Sequence, residues 1–358
     1  MAIYISGTLS AVLFSYFATH IGSSQKISAI EKKIWRKLFA ILSFVPLTFI
    51  MAVRYNVGTD FSAYWNMYRS TPRKNIEKGF VAFIDICKVF SSNPQFMFFL
   101  ASIIICGCYF ITFYRESENP PYSILIFVLC NDYFIAMSGL RQYMATAIML
   151  LAVPDIKKHN WKKVFCFLIV AALFHKSIII YVVLCLIYII NIPPLVSGGI
   201  VLCTYLVSNI LSDFVIPLLL RLNFYAAYFE ASSFFSNREG KFDITYMIIF
   251  LCFFVLLCYE YKSVKKSEKL KLMYSAVILS LLILSLSAVL PSNVRRLTWH
   301  MNSLLAIYIP TATRELPKKS LRQLMNSAII GSYIGVTTIY LLMDIHSVLP
   351  YQTFWKSN

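Results

Sequence analysis

Charge is what this chain has least of. Only 14% of its 358 residues are Asp, Glu, Lys or Arg, about half the share of an ordinary soluble domain, while 59% are hydrophobic and the mean hydropathy is +0.69. A water-soluble enzyme is excluded, because so little polar surface cannot cover a globule of this size. Strand-like alternation is also missing from the apolar runs, which excludes a β-barrel. There is no phosphate-cradling loop of the P-loop type and no dinucleotide fingerprint, so nothing points to a nucleotide. No long hydrophilic stretch is present to fold as a separate domain, and no internal repeat or low-complexity segment is visible.

What is present is a succession of apolar runs of about 17–25 residues, the length that carries a helix through a bilayer with its backbone hydrogen bonds satisfied internally. The chain reads as a single polytopic all-α domain over 1–358. About twelve transmembrane helices are expected, near 2–20, 38–53, 94–114, 121–138, 140–154, 163–175, 177–191, 196–219, 244–260, 272–290, 297–313 and 323–343. The first run has no basic leader and no small-residue cleavage site, so it is expected to be a retained span. Between 79 and 92, "GFVAFIDICKVFSS" is short and mixed, and suits an amphipathic helix at the interface or a re-entrant one. The nine cysteines lie almost entirely within apolar runs and read as buried free thiols, with no metal site.

Cations set the orientation. Lys-rich loops at 21–37, 155–163, 260–271 and 314–322 fall on one side, expected to be cytoplasmic; both termini then lie outside. By residue type the two faces differ. The inner set holds fifteen Lys and four Arg, the outer set six Lys and eight Arg. Topology needs only positive charge, whereas a guanidinium grips phosphate or carboxylate through a planar fork, so the outer face suggests an anionic ligand. Arg69 and Arg73 read equally as headgroup anchors. Arg54, Arg141, Arg295 and Arg296 sit at the ends of apolar runs, where a charge is costly unless it lines a cavity or meets a partner.

The stretch "RYNVGTDFSAY" resembles the signature of the EpsG family of Wzy-type polysaccharide polymerases. "GLRQYMATAIM", "LFHKSIII" and "LPYQTF" resemble further elements of that family in the same order, on the same expected face. The segment around Arg296 resembles a fourth, with His300 standing where the family has Tyr. The resemblance implies an enzyme of the bacterial cytoplasmic membrane with its site facing outward. It would transfer a growing glycan from undecaprenyl diphosphate onto a lipid-linked repeat unit, with no cofactor, metal or nucleotide sugar. Undecaprenyl-diphosphate-linked oligosaccharide and membrane lipid would be its ligands, a flippase and a chain-length regulator its partners. Nucleic acid is not expected.

That chemistry needs cations for the leaving diphosphate and a base for the acceptor hydroxyl. Arg54, Arg141 and Arg296, with Arg295 as a close substitute, are assigned to the diphosphate. Asp60 and His175 are the base candidates; the plainer readings are a loop cap or an ion pair with Arg54 for Asp60, and a satisfied helix-end histidine for His175. Tyr55, Gly58, Thr59, Tyr64, Gln142 and His300 complete the expected substrate-binding set, Gly58 because it lets the loop bend tightly. Tyr225 and Tyr228, in the outer loop 220–243, suit a sugar-stacking platform or ordinary interfacial anchoring. Loops 54–93 and 220–243 are both expected at the site. Asp132, inside an expected span, reads as an interhelical hydrogen bond or part of a proton path. The alternatives from other classes are a flippase or transporter of lipid-linked oligosaccharide, a membrane glycan ligase and an O-acyltransferase.

Overall fold

The computed structural model describes residues 1–21, 28–70, 76–208, 244–287 and 294–356, with isolated residues 210, 214 and 217. In chain order the helices are α1 (Ala2–His20), α2 (Ala29–Ala52), α3 (Phe61–Arg69), α4 (Lys78–Phe90), α5 (Gln95–Glu116) and α6 (Pro120–Leu129). There follow α7 (Asp132–Ser138), α8 (Leu140–Leu150), α9 (Val153–Lys157), α10 (Trp161–Ala172), α11 (Ile180–Ile190) and α12 (Pro194–Leu206). The last are α13 (Ile244–Tyr259), α14 (Tyr261–Lys266), α15 (Glu268–Leu286), α16 (Trp299–Arg314) and α17 (Lys319–Leu342). Among the described residues there is no strand; a lone antiparallel bridge joins Arg54 to Thr353. The protein is an all-α membrane protein.

By length and composition α1, α2, α5, α15 and α17 can each cross a bilayer, and α6 with α7 makes a sixth candidate if taken as one bent span. Their outward faces are apolar: Leu9 is 61% exposed, Ile41 60% and Leu342 73%. In water such faces would be a liability, but in lipid they are the solvent-matched surface. The other expected spans are built differently. The run 121–138 breaks at Cys130–Asn131, where Asn131 takes a left-handed φ of 69° and the two halves bend by 54°. The run 140–154 stops at Leu150 and resumes in α9, which begins beside Pro154. The run 38–53 starts earlier than expected, because Ser28 and Glu31 form a reciprocal capping box in front of a basic turn. The segment near 79–92 is helical as expected: α4 buries Phe80, Phe83, Ile84 and Cys87 while Ile86, Val89 and Phe90 are exposed.

The chain forms two compact units. Unit 1 comprises Met1–Ile179 and Ala306–Asn358; in it α1 packs on α2 and α6, α5 on α2 and α8, α10 on α8, and α17 on α6. At its centre α7 is buried at all seven positions. The Tyr143 hydroxyl donates to Asp132 Oδ1 at 2.9 Å, which gives the interior aspartate an interhelical partner. Unit 2 comprises Ile180–Leu305, where α11, α12 and α13 pack on α15. All nine cysteines are unpaired; Cys166, Cys203 and Cys252 lie on exposed faces instead of being buried as expected.

Candidate functional site

The segment after α2 is tied down on three sides. Arg54 is fully buried, and its guanidinium donates to three backbone carbonyls: Nε to Val57 at 3.2 Å, Nη1 to Met51 at 2.9 Å and Nη2 to Met137 at 3.0 Å. It also lies over the Phe98 ring at 5.0 Å. Burial lowers its pKa to about 10, so it stays charged at neutral pH. These bonds brace the end of α2 against α7, with the Arg54 side chain fully buried.

Gly58 explains the tight bend. Its φ is +101°, its N–H donates to Ser347 O at 2.7 Å, and a Cβ built there would sit 2.6 Å from the Met137 carbonyl oxygen. Thr59 N–H donates to Ser138 Oγ at 3.1 Å. Tyr55 N–H donates to Gln352 O at 2.9 Å, and its ring meets Phe61 and Trp65 edge-on. The C-terminal "LPYQTF" segment is therefore the strap that holds this loop: the Tyr351 hydroxyl reaches Ile50 O at 2.7 Å and Phe354 N–H reaches Val53 O at 3.2 Å.

Asp60 is half-buried at the start of α3, and its side chain makes no capping hydrogen bond. One turn later Tyr64 is buried; burial raises its pKa and keeps the hydroxyl protonated. The Tyr64 oxygen accepts the Arg141 backbone N–H at 3.4 Å, linking the first family-like segment to the second.

Arg141 opens α8 with a quarter of its side chain exposed. Its Nη1 donates to Glu77 Oε2 at 2.6 Å, a charge-assisted bond to a carboxylate that is itself largely buried. Its Nε is buried and meets no acceptor in strict hydrogen-bonding geometry, but the Tyr64 hydroxyl stands beside the guanidinium as a hydrogen-bonding and electrostatic partner. Gln142 is buried behind it. The other oxygen of Glu77 accepts the Lys176 N–H at 3.4 Å, which brings in the third family-like segment.

That segment is the turn joining α10 to a 3-10 turn at Lys176–Ile179. His175 Nδ1 lies 2.9 Å from Ser177 Oγ and accepts the Ser177 backbone N–H at 3.2 Å. A backbone N–H can only donate, so Nδ1 is the acceptor and the proton of the neutral ring sits on Nε2.

Unit 1 therefore assembles Tyr64, Glu77, Arg141 and the His175 turn from three stretches of chain, with Asp60 one helical turn from Tyr64 and Arg54 and Gly58 as framework. Unit 2 carries the rest of the expected set. Arg295 and Arg296 lie half-buried in the 3-10 turn Val294–Thr298, with Arg296 over the Trp299 ring at 5.4 Å. His300 is fully buried, its ring edge-on to Tyr181 at 6.4 Å. Tyr225, Tyr228 and the 220–243 loop lie outside the described residues. Glu77 was missed by sequence reasoning. The signal was a carboxylate set among Arg69, Arg73, Lys74 and Lys78.

No curated protein and no solved structure matches the chain. The sequence profile of the EpsG family, which is related to Wzy-like polysaccharide polymerases, matches residues 37–353, leaving out α1 and the start of α2 but taking in Arg54, Tyr64, Glu77, Arg141 and His175, and the chain belongs to that family.

Proposed function

We propose that the protein is a polysaccharide polymerase of the bacterial cytoplasmic membrane, acting at the outer face with both termini outside. The shorter helices would pair to complete about twelve crossings. The donor is a glycan on undecaprenyl diphosphate, the acceptor the non-reducing end of the next lipid-linked repeat unit. An acceptor hydroxyl oxygen attacks the anomeric carbon, the bond from that carbon to the phosphate oxygen breaks, and undecaprenyl diphosphate leaves with the bonding pair. Neither a nucleotide sugar nor a metal is required in this reading.

The observation that carries it is the state of Arg141. One arm is held by Glu77, Tyr64 stands beside the guanidinium, and a quarter of the side chain is open to a ligand. The exposed part of the guanidinium would offer its remaining N–H groups to a diphosphate oxygen, and charge accumulating on the leaving group would be met more strongly in the transition state than in the ground state. His175, with its proton on Nε2, is suited to donate to a diphosphate or sugar oxygen. Asp60, half-buried one helical turn from Tyr64 in the same segment, is the base that takes the acceptor proton in this reading.

The roles separate in a purified system in which donor binding and extension are measured independently. Asp60→Asn should bind lipid-linked donor like the wild type and extend it at about a hundredth of the rate or less. His175→Gln should keep measurable extension with weaker donor binding. The reverse pattern would move the base to His175, and a wild-type protein that binds donor without extending it would sink the polymerase reading.

A further inference from the structure

We propose that Glu77 is a positioning residue for the transfer reaction: its carboxylate fixes the angle at which Arg141 meets the diphosphate and locks that guanidinium to the turn bearing His175. The proposal rests on the reading of Arg141 as a diphosphate ligand and adds to it a residue with no contact to the reacting atoms.

The two carboxylate oxygens are divided between two elements. Oε2 takes Arg141 Nη1 at 2.6 Å and Oε1 takes the Lys176 N–H at 3.4 Å. Glu77 is also the residue from which α4 starts, so its backbone is fixed by the helix behind it. That helix is pinned to the same turn a second time. Gly79 N–H donates to Leu173 O at 2.9 Å, and a Cβ at Gly79 would sit 2.6 Å from Leu173 Cβ and 2.7 Å from Leu173 O. Glu77 is thus held as a rigid strut and not as a mobile surface carboxylate. A guanidinium tethered at Nη1, with the Tyr64 hydroxyl beside it, can turn only about that contact, which limits the directions in which its other N–H groups meet a ligand. Tethering at the arm away from the ligand is how an outer carboxylate orients a ligand-binding group without competing for its ligand. A largely buried carboxylate beside an arginine would otherwise be an odd choice at an anion site, since it offsets the attraction the site needs.

The charge balance gives a signature that a merely structural brace would lack. Neutralising Glu77 frees one more unit of positive charge for the ground-state donor while loosening the geometry needed as the bond breaks. In reconstituted protein with an undecaprenyl-diphosphate-linked repeat unit as probe, Glu77→Gln should bind donor with full stoichiometry and equal or tighter affinity. Single-turnover extension should fall about 10- to 100-fold, the scale expected when a reacting group is misplaced by about an ångström. Glu77→Asp should recover part of the rate. The exchange Glu77→Arg with Arg141→Glu should restore thermal stability but not extension, because the pair re-forms with the cation on the wrong element.

Extension by Glu77→Gln within twofold of wild type overturns the proposal, and so does a loss of rate accompanied by an equal loss of donor stoichiometry and melting temperature. Recovery of extension in the exchanged pair would overturn it as well. Arg141→Lys in the same preparation separates the two levels: if that variant is inactive while Glu77→Gln is normal, only the strut fails, and if both are normal the reading of Arg141 fails with it.

Discussion

Arg141→Lys is expected to insert, fold and bind nearly as wild type yet lose extension by roughly two orders of magnitude, the range seen when one preorganised donor is removed from an oxyanion-type site. Lysine keeps the charge, so the ion pair with Glu77 can re-form and topology is unchanged. What it loses is geometry. Its ammonium is a single point on a flexible stem, whereas the arginine can hold Glu77 through Nη1 and keep further N–H groups for a ligand. The check is donor binding, thermal melting and extension on one preparation. Normal extension would make Arg141 an interfacial anchor. A fall in melting temperature in step with activity would make it a brace like Arg54.

Gly58→Ala should be the most damaging substitution to the fold of this region. Two independent costs add there. A side chain at a φ of +101° is strained by about 1–3 kcal/mol. In addition, the new Cβ would lie 2.6 Å from a backbone carbonyl oxygen that cannot swing aside, because Met137 belongs to the fully buried α7. Overpacking of this kind typically costs a further 1–3 kcal/mol. Because Gly58 N–H also holds Ser347 and its neighbour Thr59 holds Ser138, relief by moving the loop would break both links. The expected result is poor recovery of folded protein or a large drop in melting temperature, with extension lost. Gly58→Asn distinguishes the two costs: asparagine tolerates a positive φ but keeps the Cβ, so it should fail nearly as badly. A wild-type melting temperature for either variant would contradict the packing described here.

The helical class and most helix centres were legible from composition and apolar run length, because in lipid those two properties decide the fold of a segment. Where expectation and structure part, local chemistry explains it. Ser28 and Glu31 extend α2 backwards through a turn that looked like a loop only because of its Lys and Arg. Asn131, able to adopt a left-handed conformation, breaks a run that hydropathy alone continues. At the site, Gly58, Arg141, His175 and Asp60 could be singled out because each is an unusual residue for its place. What each one touches could not be. Arg54 looked like a costly charge in search of an anion, and it spends its donors on three carbonyls, one of them 83 residues away. Glu77 pairs with Arg141 across 64 residues, and no local pattern marks such a pair. For His175 the sequence could not show its contact with Ser177, whose N–H donates to Nδ1.

The central claim is that this chain itself joins repeat units at the outer face, using Arg141 on the diphosphate. Its most direct test is purified protein in oriented proteoliposomes, given undecaprenyl-diphosphate-linked repeat unit on the face carrying the 54–93 loop, with no nucleotide sugar. A ladder of lengthening glycans, one undecaprenyl diphosphate released per linkage, and no ladder from Arg141→Lys at equal donor binding is the predicted result. Repeat units that stay single, whether they cross the bilayer or not, would contradict it.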